Sequence, residues 1–134
     1  MDFLLTKSLV KILIGCLISI AIHASPKTDY MIHCMGCHAM NGQGMPPEVP
    51  AFDSTLGEIV GKPGGRAYLI QVPGASQSHL NDERLANVLT WLLREFVGDE
   101  LPPDFQDIST LEVSKFRPEI LTNPDLARVN LLSH

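Results

Sequence analysis

Cys34-Met35-Gly36-Cys37-His38 decides how this 134-residue chain is read. Two thiols three residues apart, followed at once by an imidazole, are what covalent haem attachment requires. One helical turn sets the two sulfurs at a spacing that matches the two vinyl groups along a haem edge. His38 then sits beneath the iron and supplies the proximal nitrogen. Haem held this way does electron transfer or small-ligand chemistry, tuned by the sixth ligand and by burial.

Other uses of the two cysteines have less support. A zinc site needs about four ligands, and the chain has no second cysteine pair; its third thiol, Cys16, lies in an N-terminal apolar segment. A thioredoxin-like C-x-x-C wants alternating strands and helices around it, and none are signalled. A disulfide between Cys34 and Cys37 leaves His38 without a role. The expected cofactor is one covalent haem c.

The N-terminus reads as a secretory signal. Lys7 and Lys11 precede an apolar run, Ile12 to Ile22, of 11 residues. That is short of the roughly 20 needed to span a bilayer. Cleavage after Ala24, just ahead of Ser25-Pro26, is the expectation, and it makes the protein periplasmic. Leu13-Ile14-Gly15-Cys16 offers a lipoprotein alternative, but the apolar run continues past the cysteine through Ile22. An uncleaved anchor is a third reading.

Without residues 1–24 the chain keeps 110 residues, enough for one domain. Basic residues fall from 10 to 8 and acidic from 15 to 14, for a net charge of −6. An acidic surface does not seek phosphates, which argues against a nucleic-acid partner. Ten prolines, ten glycines and few aromatics leave a modest core, to which a buried haem would add a large apolar body.

Helix signals follow the motif outward. Ser25 caps, and Pro26 suits the first turn of, a helix running from Lys27 to Cys37. Asn41-Gly42-Gln43-Gly44 with Pro46, Pro47 and Pro50 then makes a loop, whose Pro50 carbonyl is placed to accept from the His38 ring. Short helices are predicted over Leu56–Val60 and Arg66–Val72. Arg66 is a candidate for a haem propionate, because guanidinium suits carboxylate geometry; a solvated surface arginine is the alternative. The clearest helix starts at Asn81. Leu85, Val88, Leu89, Leu92, Leu93 and Phe96 form its apolar stripe, and Gly98 stops it. Beyond a break at Leu101-Pro102-Pro103 lie brief helices over Thr110–Arg117 and Asp125–Val129. The predicted division is a signal over 1–24, a haem domain over 25–98 and a C-terminal extension over 99–134, which wraps the domain or docks a partner.

These motifs resemble the class I c-type cytochromes over residues 26–98. The pentapeptide, Gly42 and Gly44 with Pro50, and Leu80-Asn81-Asp82-Glu83 at the start of the last helix carry the resemblance. It implies an all-α fold of short helices around one haem, with the first and last helices crossing. It implies thioethers at Cys34 and Cys37 and proximal ligation by His38. It departs at the sixth ligand, where the family commonly has a methionine before a proline and this chain has Val72-Pro73-Gly74.

His79, in the loop ahead of the last helix, is the candidate distal ligand, and its alternative is an exposed loop histidine. Met45 is the second candidate. Met40 is too close to His38 to cross the haem plane, and Met31, Met35, His33 and His134 are badly placed. Histidine would make a lower-potential carrier and methionine a higher one. With neither, the iron is open to small ligands. The leading expectation is a single-haem electron carrier, not an enzyme. It would work between a periplasmic dehydrogenase and an acceptor such as an oxidase or another cytochrome. The alternatives are a gas-binding or peroxide-reactive haem protein and a haem subunit of a larger oxidoreductase.

Overall fold

The computed structural model describes residues 24–133. Residues 1–23 of the predicted signal segment, with Cys16, and His134 at the other end lie outside these residues. The described chain is all-α, with eight α-helices and no strand.

Local chemistry starts each helix. In α1 (Pro26–His33) the Ser25 side chain accepts from the Thr28 N–H, with Pro26 in the first turn. Asp53 caps α3 (Ser54–Gly61), and Gly64, at a φ of 84°, leads into α4 (Gly65–Gln71). Asn81 caps α6 (Asp82–Leu92). Ser109 and Glu112 form a reciprocal capping box on α7 (Thr110–Phe116). Asn123 caps α8 (Pro124–Leu132).

Three elements differ from the sequence expectation. The helix predicted through Cys37 breaks at Cys34, whose φ of −121° leaves the helical region, and resumes as α2 (Met35–His38). Pro73–Ser76 winds a further turn, α5, beyond the predicted helix end at Val72. Helix α6 runs on into a wide π turn, Leu93–Val97, before Gly98.

The stripe of α6 faces the core: Leu85, Val88, Leu89, Leu92 and Leu93 are buried there. Helix α1 packs across α6. Tyr30 fills that crossing, with ring centroids 5.3 Å from both Trp91 and Phe96. Asp29, only 1% exposed, is held at the same crossing by the Arg84 guanidinium, at 2.5 and 3.1 Å. A carboxylate that deep must be paired.

The segment after Gly98 wraps the domain. Ile108 and Val113 are buried in the same apolar cluster as the α6 stripe. Helix α7 packs on α6 and α4, and α8 lies on α3 and α4. Arg117, just past α7, donates to the carbonyls of Ser76, Ser78 and Leu80 and pairs with Asp82. It thereby ties the segment between α5 and α6 to the C-terminal part of the chain.

Candidate haem site

The break at Cys34 sets the pentapeptide on one short turn, α2, at the mouth of a cavity of about 370 Å³. That size falls in the ~300–1,000 Å³ range of ligand clefts. Cys34, Cys37 and His38 line it from one side. The loop before α3 contributes Pro50 and Phe52, and α6 contributes Leu85, Leu89 and Leu92. Val72 and Ala75 line it from the α4–α5 corner, and Arg128 from α8.

The His38 ring is stacked on Phe52, centroids 3.9 Å apart and planes within 16°. Its Nδ1 is buried and makes no hydrogen bond. Burial lowers the imidazole below its ordinary value, and the neighbouring Pro50 carbonyl offsets part of that effect without reaching hydrogen-bond geometry at Nδ1. The ring is therefore held neutral, the form that ligates a metal.

Gly44 shapes the loop that brings Pro50 there. Its φ is 67°, and a Cβ would run into the Val49 and Pro50 carbonyls. The Gly44 N–H donates to the His38 carbonyl at 3.2 Å, and the Tyr30 hydroxyl donates to the Ala39 carbonyl at 2.5 Å. The end of the pentapeptide is thus fastened from both sides.

The two thiols are unbonded. Burial, then the charges of Asp29 and Cys37, push the Cys34 thiol up to about 11. Zinc binding and dithiol exchange both use the thiolate, and this site suppresses it. Among the described residues no three His, Cys, Asp or Glu side chains gather as a metal cluster. Two unbonded thiols at the rim, an orphaned buried imidazole nitrogen and an apolar interior fit a haem.

The distal candidates are not brought to this cavity. His79 is exposed and lines a separate shallow hollow with Ile32, His33 and Gln77. Arg117 holds the carbonyls of Ser78 and Leu80 on either side of it, so the His79 side chain turns outward. Met45 is 51% exposed, and its backbone is bridged to Val49 inside the loop. Among the described residues no methionine lines the cavity, and Val72, Pro73, Gly74 and Ala75 carry no ligating side chain.

Arg66 does not line the cavity either. Its guanidinium is taken by Glu112, at 2.6 and 2.8 Å, and by the carbonyls of Gln106 and Asp107. The C-terminal segment supplies that carboxylate, 46 positions along the chain. Sequence reasoning missed the Asp29–Arg84 pair, the Arg117 clamp and Arg128. Only Asp29 left a signal: it sits mid-helix beside Tyr30, on a face the pattern marks as buried.

No family model matches the chain. It is 33% identical over 107 residues to a cytochrome c-552 of Thermus thermophilus, a match covering 66% of this chain and 82% of that protein. A second cytochrome c-552 of the same species is 33% identical over 107 residues, covering 66% of this chain and 72% of the relative. The chain belongs to the class I c-type cytochromes. This cytochrome carries covalently bound haem c and is a protein of electron transfer. Its all-α fold, with α1 crossing α6, is the one the family resemblance implies. Among its described residues no helix is long and apolar enough to cross a membrane.

Proposed function

We propose that this cytochrome is an exported, periplasmic single-haem electron carrier that makes and breaks no substrate bonds. The observation that carries the reading is the Cys34–Cys37–His38 turn at the rim of the apolar cavity. Cys34 and Cys37 tether the haem through thioethers, and His38 holds the iron. The bound haem supplies a one-electron couple. The chain's own residues orient and shield it. Phe52 fixes the plane of the His38 ring. Leu85, Leu89 and Leu92 exclude water, which holds the local dielectric low and tunes the potential. Cys37 is exposed, so a haem tethered there would be open to a partner protein on that side. The partners are redox proteins, a dehydrogenase as donor and an oxidase or another cytochrome as acceptor.

A second reading has one observation in its favour: among the described residues no methionine lines the cavity, and the imidazoles that do are His33 and His38. An iron ligated only by His38 leaves a position for a diatomic ligand. One experiment tests both readings. Purified holoprotein and the C34A/C37A double variant are denatured, and the haem is extracted with acidified organic solvent. The carrier reading expects haem to stay with the wild-type polypeptide and to extract from the variant; extractable wild-type haem refutes it. The reduced native protein is then exposed to carbon monoxide. A prompt spectral change supports the open position, and an unchanged low-spin spectrum removes it.

A further inference from the structure

The chain has five arginines. Four are bound to carboxylates: Arg66 to Glu112, Arg84 to Asp29, Arg94 to Asp107 and Arg117 to Asp82. The fifth, Arg128, has no hydrogen-bond or ion-pair partner among the described residues. Among the described residues it is also the only arginine or lysine that lines the haem cavity. A chain this acidic spends its other arginines on carboxylates, so a half-buried guanidinium left over beside a cavity marks a missing anion.

The haem brings that anion. Each haem carries two propionate carboxylates, and the cavity is otherwise mostly apolar. Carboxylates at the edge of such a site need a positive partner. Guanidinium meets a carboxylate through two parallel N–H donors, which gives it both strength and direction. The lining also includes Glu48 and Asp125. Both are acidic and would repel a propionate, so Arg128 has these two carboxylates to offset as well as the propionates.

The placement of Arg128 is firm. Asn123 caps α8 and Pro124 sits in its first turn. Ala127, Leu131 and Leu132 pack against the core on either side of Arg128 in sequence, and α8 lies on α3 and α4. We propose that Arg128 pairs with a haem propionate, which makes the C-terminal helix a working wall of the haem site. The inference rests on the haem occupying this cavity.

The test compares wild type, R128Q, R128K and R94Q as holoproteins. Arg94 is exposed and paired with Asp107, and it does not line the cavity, so R94Q removes the same charge at a distance. Equilibrium redox titration reads the midpoint potential, and the covalent haem is checked on the denatured protein. Losing a cation beside the haem favours the oxidised form. R128Q is therefore expected to lower the potential clearly more than R94Q does, with haem still attached, and R128K to recover most of the shift. An R128Q shift no larger than that of R94Q, or no recovery in R128K, overturns the assignment. Wild-type protein without covalent haem would instead defeat the carrier reading, so the two failures are distinct.

Discussion

Replacing Arg117 with methionine keeps the stem of the side chain and removes every donor. The guanidinium now donates to three carbonyls, at 2.9 Å for Ser76, 2.5 Å for Ser78 and 2.7 Å for Leu80, and pairs with Asp82 at 2.9 Å. A hydrogen bond from a charged donor contributes about 1.5–3 kcal/mol. The four contacts share one group and do not add. Ser78 and Asp82 are half-exposed, so water replaces much of what they lose. Ser76 and Leu80 are buried, and their carbonyls are the costly ones to strand. The net loss worked this way is about 2–4 kcal/mol. At about 4 °C per kcal/mol for a domain of this size, Tm falls by about 8–16 °C. Guanidinium denaturation followed by circular dichroism reads the change directly. A loss below about 0.5 kcal/mol, the level of an ordinary surface substitution, would refute the view that Arg117 binds the C-terminal segment to the haem fold.

Two further outcomes are expected. The Arg66 guanidinium beside Glu112, with help from Ser109 and against the opposing effect of burial, holds that carboxyl at about 2 instead of its ordinary 4.5. A lowered carboxyl stabilises the fold above its unfolded value and loses that contribution as pH falls from 4.5 toward 2. Glu112→Gln is therefore less stable than wild type at pH 7, and the gap narrows by pH 3; denaturant midpoints at both values check this, and a constant gap contradicts it. Gly44→Ala costs at least about 1–3 kcal/mol from the positive φ alone, plus the clash with the Val49 and Pro50 carbonyls. Gly36→Ala is its control. Gly36 is helical with open space around it, so alanine there stabilises by about 0.5–1 kcal/mol, and thermal unfolding of the two variants should move in opposite directions.

Much of this protein is legible without coordinates, because much of it is short-range. Ser25, Asn81 and the Pro26 turn announce their helices within four residues. The stripe from Leu85 to Leu93 carries its own period, and the pentapeptide places two thiols and an imidazole on one turn. Those features determine the all-α class and the covalent haem. What the sequence could not decide is where single side chains at the ends of long loops would turn. His79 lies in the right stretch, yet Arg117, 38 positions downstream, holds the backbone on either side of it and leaves the ring outside. Arg66 suits a propionate by chemistry alone, and Glu112 reaches it first. Arg128 shows no local pattern and arrives at the cavity only because α8 docks on α3 and α4. Caps, motifs and stripes are written in neighbouring residues, whereas ion pairs across 35 to 55 positions depend on how the whole chain packs.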